Sequence, residues 1–161
     1  MSGFNGALRR ALITAVVAGC VAAAVGGISL ARAGGSSGDR TLHFTEVQTG
    51  SVFVNVRHST HGRAGDEFIF HARLEHPGGS RAGSLDAKCT LLLHNRLQCE
   101  GTARLAGGTL ALSAGVSAAD SVKVTHVAIV GGTGRYDRAH GELTSTSTGD
   151  NTSEDVFDID L

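Results

Sequence analysis

The sequence predicts an all-β domain: an eight-stranded antiparallel β-barrel preceded by an N-terminal signal segment. Three observations predict it. Glycine clusters punctuate the chain at short intervals, while proline occurs only once. The runs between them are rich in Val, Ile, Thr, Phe and Leu, the residues that suit a pleated, half-buried surface. Apolar residues alternate with polar ones, and no segment sustains the 3.6-residue period of a helix. Many short strands joined by tight turns in one small domain favour closure into a barrel, which also removes exposed sheet edges.

The first residues stand apart. None of the 15 acidic residues precedes Asp39, whereas Arg9, Arg10 and Arg32 all do. Arg9 and Arg10 form a short positive region, and residues 11–30 carry no charge. Ala31-Arg32-Ala33 then reads as an A-x-A cleavage site. Residues 1–33 are therefore expected to be a signal peptide, residues 34–40 a flexible linker and residues 41–161 the barrel domain, secreted or held at the cell surface. Two alternatives remain open. The run of apolar residues can just span a bilayer as an uncleaved anchor, the chain's only membrane contact. Val17-Ala18-Gly19-Cys20 also resembles a lipoprotein box, which would place lipid on Cys20.

The domain after residue 33 keeps 11 basic against 15 acidic residues, a net charge of −4. That balance excludes the basic footprint of a nucleic-acid binder. With no Trp, one Tyr and six Phe, an aromatic platform for stacking bases is excluded as well.

Strands are expected at Thr41–Gln48, Val52–Arg57, Glu67–Glu75, Ser84–Leu93, Arg96–Leu105, Thr109–Val116, Val122–Val130, Gly141–Thr148 and Val156–Asp160. In the first, Leu42, Phe44, Glu46 and Gln48 share one face at period two. If Leu42 and Phe44 point inward, Glu46 and Gln48 do too. They then become candidate ligand contacts, with Glu46 the candidate catalytic acid and Gln48 its candidate donor. A carboxyl in an apolar lumen resists ionisation, which is how an acid is poised or a charge held for a developing cation. The competing reading is an acid at the barrel mouth, wetted by solvent. In Glu67–Glu75, Phe68, Phe70, Ala72 and Leu74 form the packed face, with Ile69 breaking the pattern of the other.

Cys89 and Cys99 flank a turn centred on His94-Asn95. An odd-length loop sets the two directly opposite each other, close enough for a disulfide in an oxidising compartment. A metal site is the alternative, and two thiols are a poor one. His58 and His61 have an H-x-x-H spacing, and His71 and His76 follow. A zinc or copper site needs three converging ligands, and His58 and His61 sit in a Gly-rich, Arg-containing loop where polar histidines are common, so no metal is expected. The acid-rich stretch 150–161 reads as the last strand with a solvated acidic face.

Val127-Ala128-Ile129-Val130 runs into Gly131-Gly132-Thr133-Gly134. Taken alone, this suggests a dinucleotide-binding turn. Only 27 residues follow Gly134, too few for a nucleotide-binding fold, and they are strand-like. The glycines are better read as a reversal between antiparallel strands, with Tyr136 and Ala139 packed on the barrel end.

The stretch from Gly131 through Tyr136 to Ala139 and Gly141 resembles the G-G-T/S-G-x-F/Y-x-x-A-x-G signature of allene oxide cyclases and dirigent proteins. It is closest to exported bacterial proteins with an allene oxide cyclase barrel-like domain. Gly65-Asp66-Glu67-Phe68-Ile69-Phe70, Cys89 with Cys99-Glu100-Gly101-Thr102, and Gly107-Gly108-Thr109-Leu110 resemble further strands of those bacterial members. The likeness spans nearly all of residues 41–161. It implies an allene oxide cyclase-like, calycin-type barrel, often trimeric, with a lumen for a hydrophobic small molecule and no cofactor. It also implies that Glu46 and Gln48 stand where the cyclases carry a glutamate and an asparagine. The cyclases' lumen tyrosine has no counterpart in Val116, Ser117, Ala118 and Ala119. The dirigent aspartates are absent from His71-Ala72-Arg73, and His140 replaces the dirigent arginine. Two functions follow as expectations: an exported barrel that binds a hydrophobic small molecule, or a cofactor-free isomerase or cyclase.

On this reading the mature protein begins at or near Gly34. N-terminal sequencing of the secreted form should return Gly-Gly-Ser-Ser. A lipid-modified start at Cys20, or an intact N-terminus in the membrane fraction, would establish one of the alternatives.

Overall fold

A computed structural model describes residues 38–56, 58, 62–117 and 123–161. The expected signal segment, most of the linker, Arg57, His61 and Val122 lie outside these described residues. Eight strands follow in chain order: β1 (Arg40–Val54), β2 (Glu67–Glu75), β3 (Arg81–Leu91), β4 (Arg96–Leu105), β5 (Gly108–Ser117), β6 (Val124–Gly134), β7 (His140–Gly149) and β8 (Thr152–Asp160). Each pairs antiparallel with its sequence neighbour, and β1 pairs with β8 to close the barrel. The predicted fold class is the one observed.

The expected first two strands are one. β1 runs unbroken from Arg40 to Val54 against β2, with a register shift between Gln48 and Gly50. A bulge inserts an extra residue and bends a strand without ending it. It also resets the alternation: Gln48 pairs with Ala72 before it, and Phe53 pairs with Phe68 after it, both on the inner face.

The predicted reversal at Gly131–Gly134 is also corrected. β6 continues through these glycines to Gly134, with a bulge at Val130, and the chain reverses at residues 135–139. Gly132 is required by crowding, since a Cβ there would lie 2.2 Å from the Tyr136 carbonyl oxygen. Gly134, at φ +64°, opens the turn in the left-handed region that glycine tolerates best. Tyr136 and Ala139 are buried, as expected, and cap this end of the barrel.

The core fills that closed end. Phe44, Leu74, Leu110, Tyr136, Leu143, Phe157 and Ile159 are among its members. Phe157 meets Phe44 edge-on with ring centroids 5.7 Å apart, a favoured aromatic geometry. A smaller cluster of Cys89, Leu91 and Leu97, with Phe70 and Val116 against it, lies towards the opposite end. Near the same end, buried Asp66 pins the β1–β2 connection. Its carboxylate accepts hydrogen bonds from the Val56 and Arg63 backbone N–H groups at 3.0 and 2.8 Å, while its carbonyl accepts from Leu91.

Cys89 and Cys99 are direct cross-strand partners joined by a disulfide, as their spacing implied. The turn between them is a short 3-10 segment, Leu93–Asn95, in which His94 and Asn95 adopt positive φ. Replacing both cysteines by alanine should lower stability by about 2–3 kcal/mol, the loop-closure entropy returned to the unfolded chain. Denaturant unfolding of the oxidised protein beside the double variant measures this. β3 and β4 remain paired from Gly83–Leu105 to Leu91–Leu97, so the variant should keep its barrel and its far-UV spectrum.

Candidate functional site

The lumen is plugged at the closed end and open beyond it, leaving a cavity of about 240 Å³. Its two walls differ in chemistry. Phe68, Phe70, Ala87, Leu97, Leu112, Ala114 and Val116, with the disulfide, line the side formed by β2 to β5. Thr125, Ser145, Ser147, Ser153, Glu46 and Gln48 line the side formed by β6, β7, β8 and β1. Register explains the polar wall: Thr125 pairs with Ser145, Ser147 with Ser153, and Ser153 with Glu46. Hydroxyl and carboxyl groups therefore cross neighbouring strands on the inner face. Lys123 and Asp150 stand at the rim of the cavity.

The four residues expected to share the inner face of β1 do so, with divided roles. Leu42 and Phe44 point inward but belong to the packed closed end and are not among the residues lining this cavity. Glu46 and Gln48 face the lumen. Gln48 makes no side-chain hydrogen bond to Glu46; its backbone N–H donates to the Asn151 carbonyl at 2.9 Å. The glycine turn and Tyr136 build the plug and do not reach the cavity.

The partner of Glu46 is Asp155. The closing register sets Phe44 opposite Asp155 and Glu46 opposite Ser153, so the two acids are diagonal neighbours on one face. Asp155 is only 1% exposed. This overturns the expectation of a wholly solvated acidic face on the last strand. Glu154, Asp158 and Asp160 are exposed, but Asp155 shares the inner face with Phe157 and Ile159. The period-two run Asp155, Phe157, Ile159 was the available signal.

Burial pushes the Glu46 carboxyl from 4.5 up to about 9, and the Asp155 charge and hydrogen bonding add to it. Asp155 is also raised, chiefly by burial and further by the nearby Glu154 charge. Ser145 and Glu46 face Asp155 and pull the other way. Neither completes a well-formed hydrogen bond to its oxygens, which are buried without a partner among the described residues. Two close carboxyls in an apolar setting cannot both ionise at neutral pH. Glu46 is therefore a neutral acid at the cavity surface, able to donate a hydrogen bond or a proton.

Outside the barrel, His71 Nδ1 lies 2.6 Å from Asp86 Oδ1, and Arg104 pairs with the other Asp86 oxygen. These contacts hold the Asp86 carboxyl below its ordinary value, the His71 hydrogen bond most of all. The cluster is half-exposed and faces away from the lumen. Among the described residues, no three His, Cys, Asp or Glu side chains converge as a metal site would require.

These features define a closed antiparallel barrel with an amphipathic lumen and an acid pair at the base of its cavity. No protein-family model matches the chain, and no curated protein matches it in sequence. Solved structures match it in shape. A pyocyanin demethylase superposes with a TM-score of 0.62 at 22% identity, over 74% of this chain and 99% of that one. A pterocarpan synthase dirigent protein gives 0.58 at 22% identity, over 75% of this chain and 82% of the other. A Diels-Alderase from Streptomyces koyangensis gives 0.61 at 16% identity, over 83% and 75% of the two chains. The chain thus shares the closed-barrel fold of these proteins, a dirigent protein among them.

The acid pair predicts an unusual pH dependence of stability. Glu46 releases its proton near 4.5 when unfolded but only near 9 when folded, so within that window the folded state binds more protons. Stability should then fall as pH rises from about 5 to about 9, by at most about 1.4 kcal/mol per pH unit from this group. Glu46→Gln should flatten that slope and leave the variant more stable than wild type at pH 8. Denaturant melts across the pH series check this; a wild-type stability that is level or rising over the window would contradict it.

Proposed function

We propose that the barrel binds a hydrophobic small molecule in its lumen and steers a ring closure, rearrangement or coupling of it, with Glu46 as the acid. The observation that carries this is a neutral carboxyl at the surface of a mostly apolar cavity that is closed at one end. Such a group favours a neutral ligand with an acceptor atom, such as a carbonyl, quinone or ether oxygen. Proton transfer from Glu46 to that atom leaves positive charge on the ligand and a carboxylate beside it. In a cavity of low dielectric that carboxylate stabilises the cation. Loss of a proton from the rearranged product restores the acid, so the cycle balances without a cofactor. The apolar wall would hold the ligand in a reactive shape. Support also comes from the structural neighbours, which include a Diels-Alderase and a pterocarpan synthase dirigent protein.

The second reading is a carrier that binds the ligand and leaves it unchanged. It rests on the lumen's lack of a tyrosine, because the one tyrosine is spent on the plug. Either role is proposed to operate outside the cytosol, where the Cys89–Cys99 disulfide persists.

Native mass spectrometry of protein recovered from its secretory host should reveal a bound small molecule. Incubated with that molecule, the wild type should convert it, and Glu46→Gln should retain binding within a few-fold but lose at least about 100-fold in turnover. Return of the molecule unchanged by the wild type would establish the carrier.

A further inference from the structure

We propose that Asp155 is a positioning residue: held behind Glu46 and out of reach of any ligand, it keeps the lumen proton on Glu46. The inference rests on the acid reading of Glu46 given above. Its basis is geometric. Asp155 is 1% exposed and does not line the cavity, so it cannot touch what binds there. It lies one diagonal step from Glu46 across the β1–β8 seam, on the same inner face. Its two oxygens have no completed hydrogen bond among the described residues. A buried carboxyl left in that state is costly, and its presence calls for a role.

Among the described residues, no cation offsets the pair from within. The inner-face neighbours on β2 are Ala72 and Leu74, and on β7 they are Leu143, Ser145 and Ser147. On β8 they are Ser153 and Phe157, and on β6 Thr125 and Val127. None of these titrates. The charged groups lining the cavity besides Glu46 are Glu100, Lys123 and Asp150, and Glu154 lies on the outer face beside Asp155. The only basic group among them, Lys123, is exposed at the mouth. Apart from its own burial, Asp155 is thus the immediate reason for Glu46 to stay neutral. The Ser145 hydroxyl, opposite Asp155 in register, is placed to keep the pair's remaining charge on Asp155.

The test uses the whole protein without ligand. Selective carbon-13 labelling of glutamate side-chain carboxyls, with Glu46→Gln to assign the signal, follows Glu46 through a pH titration by NMR. In wild type the signal should respond in two coupled steps, with its main midpoint near 9. In Asp155→Asn it should become a single step lowered by about one pH unit or more. If the asparagine variant does not fold, Asp155→Ser is titrated instead. Once a substrate is in hand, the alkaline limb of kcat/KM should move down with the midpoint while KM stays within a few-fold. An unmoved or raised Glu46 midpoint in either folded variant would overturn the role of Asp155 and leave the lumen-acid reading intact. An ordinary carboxylic midpoint in wild type would overturn both.

Discussion

Pairing of β1 with β8 is the constraint on which the rest depends. Eight successive residue pairs, from Arg40–Ile159 to Val47–Thr152, turn an open sheet into a cylinder. Closure gives every strand an inside and an outside, and strict alternation then allots each side chain to one of them. Glu46 and Asp155 come from opposite ends of the domain and meet only because this seam closes in this register. A slip of one residue would turn one of the two strands over, carrying either Phe44 with Glu46 or Phe157 with Asp155 to solvent. The same contacts that bury the largest core side chains therefore align the site.

That coupling shows how the barrel tolerates two buried acids. The closed end is packed with aliphatic and aromatic side chains that gain free energy on leaving water. Asp155, left without a completed hydrogen bond, is a local cost that this burial offsets. Such local conflicts with the rules of stability gather at functional sites, where poised chemistry is retained against its energetic cost. The placement follows the same logic: the pair lies where plug gives way to cavity, dry enough to suppress ionisation and close enough to open space for Glu46 to reach it.

The disulfide belongs to the opposite wall. Cys89 and Cys99 line the cavity facing the polar side, and the bond ties the β3–β4 hairpin beside the mouth. It adds a covalent brace where the plug's packing does not extend, since Leu91, Leu97 and Cys89 form a cluster separate from the main core. One side of the lumen is thus apolar and cross-linked, and the other carries hydroxyls and acids. A bound molecule would be oriented between them by where its polar atoms lie.

Much of this was legible in the residues themselves. Composition and period-two patterning determine an all-β chain, and the opposed cysteines and the buried Tyr136 and Ala139 are local consequences of short loops and glycine turns. The inward face of β1 follows from alternation alone, so Glu46 could be singled out. The bulges at Gln48–Gly50 and Val130 could not be read, because a bulge trades one hydrogen-bond register for another without changing composition. That is why one strand looked like two, and why the glycines looked like the reversal itself. Asp155 was hidden for a different reason. Its strand is rich in acids; alternation groups it with Phe157 and Ile159, but only closure against β1 takes that face out of solvent. Alternation is a property of the chain, but which face becomes the lumen, where the plug ends, and which two carboxyls must share a proton depend on contacts between residues far apart in sequence. Those contacts exist only once the sheet has closed on itself.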